Sequence, residues 1–250
     1  MTLALVLTSV AGLSTTIGSV LGLVVRRPGP KFMGLSLGFA AGVMILVSFV
    51  ELLPKAADAL GFGWAHVAFF AGLALMFVVD TAVPHSYQGM EDLADGQHDS
   101  RLLRTGLLVA LGVGVHNLPE GMATFAGTLA NTQLGIAIAV AIAIHNIPEG
   151  LAVAAPVYAA TGSRSKAFWW SFLSGVAEPV GAGIAALVLL PFLSEAVLGA
   201  VLAGVAGLMV FISLDELLPA SREYGQEHLS IIGVLLGMAV MAVSLWMLTR

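Results

Sequence analysis

The sequence predicts an all-α integral membrane protein: one domain over residues 1–250, with eight transmembrane helices in a 3+2+3 inverted-repeat arrangement. Three observations predict it: a composition too apolar for water, apolar runs of membrane-crossing length along the whole chain, and two internal self-matches. Of 250 residues, 58% are hydrophobic and only 10% charged, against about a quarter charged in an ordinary soluble domain. Lipid must therefore solvate most of the outside. The 29 glycines agree, because small residues let helices in a membrane approach closely. There is no cysteine, which excludes disulfides, zinc fingers and thiolate metal sites.

About 20 apolar residues cross the hydrocarbon core, and such runs recur near 2–25, 32–54, 62–84, 103–129, 132–157, 166–190, 195–219 and 229–249. Span 1 lacks a basic leading segment, and its positive charges, Arg26 and Arg27, follow it. It reads as a retained helix, not a signal peptide. Spans 2 and 7 share the first self-match, spans 4 and 5 share the second, and span 6 carries Glu178 at its middle. The longest connection, 85–102 after span 3, is polar and leaves no room for a soluble domain. Connections after spans 1, 3, 5 and 7 hold eight of the ten basic residues, and the opposite side has only Lys55 and Arg250. That bias puts the 85–102 loop in the cytoplasm and both termini on the non-cytoplasmic side of the cell (inner) membrane.

The first self-match aligns AGVMILVSFVELLP (41–54) with AGLMVFISLDELLP (206–219) without gaps. Spans 2 and 7 run in opposite directions, so the likeness marks an inverted-topology repeat. The second match sets HNLPEGMA (116–123) against HNIPEGLA (145–152), on adjacent antiparallel spans. Two outer triplets around a central hairpin give the 3+2+3 order.

Both H-N-x-P-E motifs fall at mid-span. A carboxylate at that depth costs roughly 2.5–3.5 kcal/mol, a cost that persists only where the group faces an interior and neutralises something. A dication does that. His116 and Glu120, like His145 and Glu149, are four apart and share a helical face. Asn117 and Asn146 flank those faces with neutral oxygens. Pro119 and Pro148 each remove a backbone hydrogen bond, so the helices should break and expose backbone at mid-depth, while Gly121 and Gly150 permit close packing. With Glu178 the donors are two imidazoles, two amides and three carboxylates, enough for two adjacent cations sharing carboxylates. Imidazole with carboxylate suits zinc, iron, nickel or manganese.

The paired HNLPEG and HNIPEG, the eight spans and the SLDELLP segment resemble the ZIP (Zrt/Irt-like) family of metal transporters, nearest its bacterial branch, over essentially the whole chain. The resemblance implies uptake of divalent transition metal into the cytoplasm, chiefly Zn2+, with broader activity toward Fe2+, Mn2+, Co2+ or Cd2+. It implies no catalytic cofactor, an elevator-like carrier, and often a homodimer. It also implies a binuclear centre, with His116, Glu120, His145 and Glu149 on one metal and Asn117, Glu120, Asn146, Glu149 and Glu178 on the other. Met44 on span 2 joins them as a thioether ligand. One departure is Pro179, directly after Glu178. Another is the cytoplasmic loop, which offers only His85 and His98 in place of a His-rich run.

In the derived orientation Glu51 sits near the outer end of span 2. Asp80 and His85 end span 3 on the cytoplasmic side, with Asp215 and Glu216 of span 7. Acidic groups at both mouths draw cations in and pass them on. The rival reading is an intramembrane metallohydrolase, since a His/Glu metal centre can activate water. Position 117 is Asn, however, so the general-base Glu of a zincin H-E-x-x-H is missing. A structural metal scaffold has no need of acidic mouths. The expected partners are metal ions and the bilayer, with no nucleic acid.

Overall fold

The computed structural model describes residues 1–24, 29–82, 97–189, 194–222 and 227–248. His85 and most of the 85–102 connection lie outside the described residues. Those described are all-helical: α1 (Thr2–Val24), α2 (Pro30–Leu60), α3 (Phe62–Ala82), α4 (Gln97–Ala130), α5 (Thr132–Thr161), α6 (Arg164–Ile184, extended by Ala185–Leu189), α7 (Glu195–Arg222) and α8 (Glu227–Leu248). All but α4 are long and apolar enough to cross a membrane by length and composition. The 34 residues of α4 exceed a membrane crossing, and the polar cluster of its motif interrupts its apolar run. Leu21, Phe70, Leu173 and Leu235 are among the many large apolar side chains on the outside, each more than half exposed. Only lipid can solvate such a surface.

The helices run longer than the apolar runs suggest. α2 and α7 each continue past a proline, Pro54 and Pro219, to Leu60 and Arg222. Just before these prolines the helix widens into a π-turn, at Ser48–Leu52 and Ser213–Leu217. The amide of Leu53 bonds to the Ser48 carbonyl, and that of Leu218 to the Ser213 carbonyl, both five residues back. Proline cannot donate and its ring crowds the preceding turn, which the wider spacing relieves. Ser48 and Ser213 also donate their hydroxyls to the Met44 and Met209 carbonyls, each over 2.7 Å. A third π-turn, Ala185–Leu189, likewise ends two residues before a proline in the sequence, Pro191.

The expected breaks at the motif prolines do not occur. Pro119 lies inside an uninterrupted α4, as Pro148 and Pro156 do in α5 and Pro179 in α6. A proline deletes one bond, and close packing against neighbours keeps these segments helical. A Cβ on Gly121 would strike the carbonyl of Glu178, and one on Gly150 the carbonyl of Thr15.

Packing sorts the helices into two groups. α1, α4, α5 and α6 pack on one another and carry both motifs; α2, α3, α7 and α8 form the flanking group. The groups meet chiefly where α2 touches α5 and α4 touches α7. Water is absent from lipid, so close backbone approach and dispersion drive these contacts. Gly42 of α2 rests on the Val234 carbonyl of α8, and Gly207 of α7 on the Phe69 carbonyl of α3. Gly72 of α3 rests on Gly204, and Gly237 of α8 on Phe39. Members of the paired contacts differ by 165 in number (42 and 207, 72 and 237), the offset of the 41–54 and 206–219 match.

Gly42→Ala should therefore push α8 from α2 and lower stability by about 1–3 kcal/mol, the range for overpacking. Gly63→Ala, where a Cβ meets nothing within 4 Å, should be neutral or slightly stabilising because it removes a helical glycine. Thermal unfolding of the two variants in detergent, followed by size-exclusion, should separate them. Equal melting temperatures would sink the contact argument.

Candidate functional site

The two motifs face each other at the α4–α5 contact, and their His–Glu contacts cross the hairpin. His116 Nε2 lies 3.0 Å from Glu149 Oε1, and His145 Nε2 lies 3.1 Å from Glu120 Oε1. Helical spacing aligns each His with the Glu on its own helix, yet the pairing is between helices. His116 Nδ1 bonds to the Gly112 carbonyl at 3.0 Å, which leaves Nε2 as the nitrogen aimed across. His116, Asn117, Asn146, Glu149 and Glu178 are fully buried, and Glu120 and His145 nearly so.

The amides are tied outward. Asn117 Nδ2 donates to the Ser174 carbonyl of α6 at 3.0 Å, and Asn146 Nδ2 to the Ala11 carbonyl of α1 at 3.1 Å. A carbonyl can only accept, so each amide nitrogen must face it and each Oδ1 is the free end. Asn146 Nδ2 also donates to Glu178 Oε1. That contact brings α6's carboxylate to the motif of α5, with Pro179 accommodated inside the helix.

What remains is a set of buried lone pairs. Asn117 Oδ1, Asn146 Oδ1, Glu120 Oε2, Glu149 Oε2, Glu178 Oε2 and His145 Nδ1 have no hydrogen-bond partner. Glu149 Oε1 also lacks one, because its approach to His116 is close but poorly aligned. An unsatisfied buried group costs about 1–3 kcal/mol, more when charged. His116 Nε2 is likewise without a partner, so all but two of these atoms are oxygens, and among the described residues no lysine or arginine makes an ion pair within the cluster. The arrangement is short of positive charge, and a divalent cation could take several of these atoms at once.

The remaining candidate residues divide. Met44 is fully buried in the apolar core that the flanking group shares with α4 and α5. Glu51, in the π-turn of α2, pairs with Lys55 at 2.9 Å on its own helix. Asp80 of α3 and Asp215 and Glu216 of α7 come together, their ligand atoms all within 4.8 Å of one another. Among the described residues they form the one such acidic or imidazole grouping; the central donors are instead arranged as two His–Glu pairs and the Asn146–Glu178 contact. The sequence reading missed three participants: Arg104 and the main-chain carbonyls of Ala11 and Ser174. Arg104 counted only toward topology, whereas it bridges Asp80 and Glu216. Ala11 and Ser174 contribute main-chain carbonyls, for which no side-chain signal exists.

Asn117→Ala and Asn146→Ala should both destabilise the apo protein, unequally. Losing the neutral amide–carbonyl bond of Asn117 costs about 1 kcal/mol, while Asn146 also loses a bond to a carboxylate, worth about 1.5–3 kcal/mol. Melting temperatures measured without added metal should fall further for Asn146→Ala; the reverse order would contradict this geometry.

A family model described as ZIP Zinc transporter matches residues 79–245. A protein described as Zinc transporter ZupT from Chlorobium luteolum is 52% identical to the chain, covering 98% of each. Proteins of the same description from Streptococcus mutans serotype c and Chlorobium phaeovibrioides are 49% and 54% identical. These alignments cover 97% and 98% of this chain, and 96% and 97% of theirs.

Proposed function

The chain belongs to the ZIP zinc transporter family, and from that premise we propose that it takes zinc across the cell (inner) membrane into the cytoplasm through the buried cluster on α4, α5 and α6. It is a transporter and not an enzyme, and nothing at the site favours hydrolysis. The observation that carries the reading is the set of unpartnered acceptor atoms between the two H-N-x-P-E motifs. A dication entering there would replace two His–Glu contacts with shared coordination and offset three buried carboxylates at once. The proposed ligands are His116, Glu120, His145 and Glu149 for one ion and Asn117, Glu120, Asn146, Glu149 and Glu178 for a second, with Met44 of α2 proposed as a thioether ligand. Imidazole and carboxylate together suit zinc and also Fe2+, Mn2+, Co2+ and Cd2+. The amide nitrogens, already anchored to α1 and α6, leave Oδ1 free to bind. This saves the entropy of ordering those ligands.

The 3+2+3 inverted repeat is supported by paired contacts. Besides the offset of 165 in the flanking group, Asn117 meets Ser174 where Asn146 meets Ala11, and Gly121 meets Glu178 where Gly150 meets Thr15. Residues 11 and 174, and 15 and 178, share an offset of 163. Thr15 thus stands in α1 where α6 has Glu178. The scarcity of contact between the helix groups favours a carrier in which α1, α4, α5 and α6 move with the cargo against α2, α3, α7 and α8. In the proposed orientation Glu51 lies at the outer mouth and Asp80, Asp215 and Glu216 at the cytoplasmic one; a homodimer is the proposed assembly.

Glu149→Ala should reduce zinc uptake into proteoliposomes by more than about tenfold while the protein still inserts, since a transition-metal site rarely tolerates loss of a shared ligand. Uptake of zinc, iron, manganese and cobalt at above half the parental rate would refute the site. Glu178→Ala should leave one ion bound where the parent binds two, by metal analysis of purified protein. An unchanged ratio, or no metal, would exclude the binuclear assignment. For orientation, single cysteines at the exposed Thr2 and Ser165 report directly. An impermeant thiol reagent on intact cells should label position 2 and spare 165, and the opposite pattern would exchange the two mouths.

A further inference from the structure

Glu51 and Glu216 occupy the same place in the self-matching segments, within matching π-turns. Their partners differ. Glu51 pairs within its own helix, with Lys55. Glu216 is reached from the other helix group: Arg104 of α4 donates through Nη1 to Glu216 Oε1 at 3.1 Å and through Nη2 to Asp80 Oδ1. All three side chains are largely buried, at 14%, 4% and 10% exposure for Arg104, Glu216 and Asp80. Asp80 lies near the end of α3 and Arg104 near the start of α4, so the bridge sits at the end of the bundle that bears their connection. Leu108, one turn along α4, is buried in the same core as Leu208, Met209 and Ile212 of α7. Gly112, a further turn on, packs on Ile212. Arg104 therefore closes the α4–α7 seam, which is one of the two main contacts between the helix groups.

We infer that Arg104 is a tethered cation that latches the two helix groups at this end and must release Asp80 and Glu216 before a divalent cation can leave by them. The inference rests on the proposed reading of those carboxylates as exit residues. A guanidinium suits the task. It holds its charge at any physiological pH, and its fork engages two carboxylates on two helices at once. It competes with the cargo for the same oxygens, so opening and release become one event. Among the described residues no such bridge joins the groups through Glu51, so the latch works at one mouth.

The test uses the full-length protein, which has no cysteine, with a single cysteine at Leu108 and an impermeant thiol reagent applied to each face of membrane vesicles in turn. In the parent this cysteine should be nearly silent. Arg104→Gln should raise its labelling rate at least about tenfold, as expected when a coupling of ordinary size between two states is removed. Equal rates in the parent and the Arg104→Gln variant would overturn the latch. A second cysteine, at the fully buried Ala40, must stay silent. If it labels, the Arg104→Gln variant has unfolded, and Arg104→Lys, which keeps the charge but loses the fork, decides instead. Faster labelling at 108 in the Arg104→Lys variant, with 40 silent, supports the latch, and unchanged labelling overturns it. Labelling needs no zinc, so the outcome is independent of whether transport is observed. The bridge lies at the opposite end of the bundle from Thr2, so a rate increase seen only from the face bearing Thr2 would overturn the latch.

Discussion

Three carboxylates buried among helices, with more lone pairs than donors to meet them, are the constraint on which the rest of this protein turns. Each of Glu120, Glu149 and Glu178 leaves an oxygen without a partner, in an interior where such atoms are costly. Among the described residues the fold does not relieve this with a lysine or arginine. It relieves it in part, by crossing the imidazoles of His116 and His145 between helices and by fixing Asn117 and Asn146 on the carbonyls of α6 and α1. Such partial relief is what a binding site for a cation requires. Complete neutralisation from within would leave nothing for the ion to do.

Close approach packs the helices around this cluster tightly. Gly121, Gly150 and Gly181 each seat a neighbouring carbonyl where a Cβ would collide, which brings α1 and α6 onto the motif hairpin from either side. The same packing keeps Pro119 and Pro148 inside unbroken helices. The irregular backbone lies elsewhere, in the π-turns of α2, α6 and α7. Two of these carry Glu51 and Glu216, so the widened turns place an acidic residue at the same position of each self-matching segment.

Much of this was legible in the sequence, for physical reasons that can be named. Apolar runs must satisfy their own backbone in lipid, so spans such as 2–25 and 62–84 read directly as helices. The doubled H-N-x-P-E pattern announced its polar residues because carboxylates at mid-span are expensive. Partner choice was not legible. Spacing aligns His116 with Glu120, and only the packing of α4 on α5 turns it toward Glu149. Proline predicted a break at 119 and 148 because the lost bond is local while the neighbours that prevent the break are distant in sequence. Arg104 was hidden for the same reason: nothing near it in the chain reveals Asp80 and Glu216.

The unequal helix lengths have a consequence for the membrane itself. At about 1.5 Å per residue, the 21 residues of α3 and 22 of α8 come close to the ~30 Å of the hydrocarbon core, and both helices turn bare apolar faces outward. The 34 residues of α4 exceed that thickness by several turns. Hydrophobic mismatch therefore acts unevenly: a thicker or thinner bilayer strains α3 and α8, which have little length to spare, before it strains the motif hairpin. Lipid chain length becomes a variable that sets the depth of α3 and α8 relative to the motif hairpin.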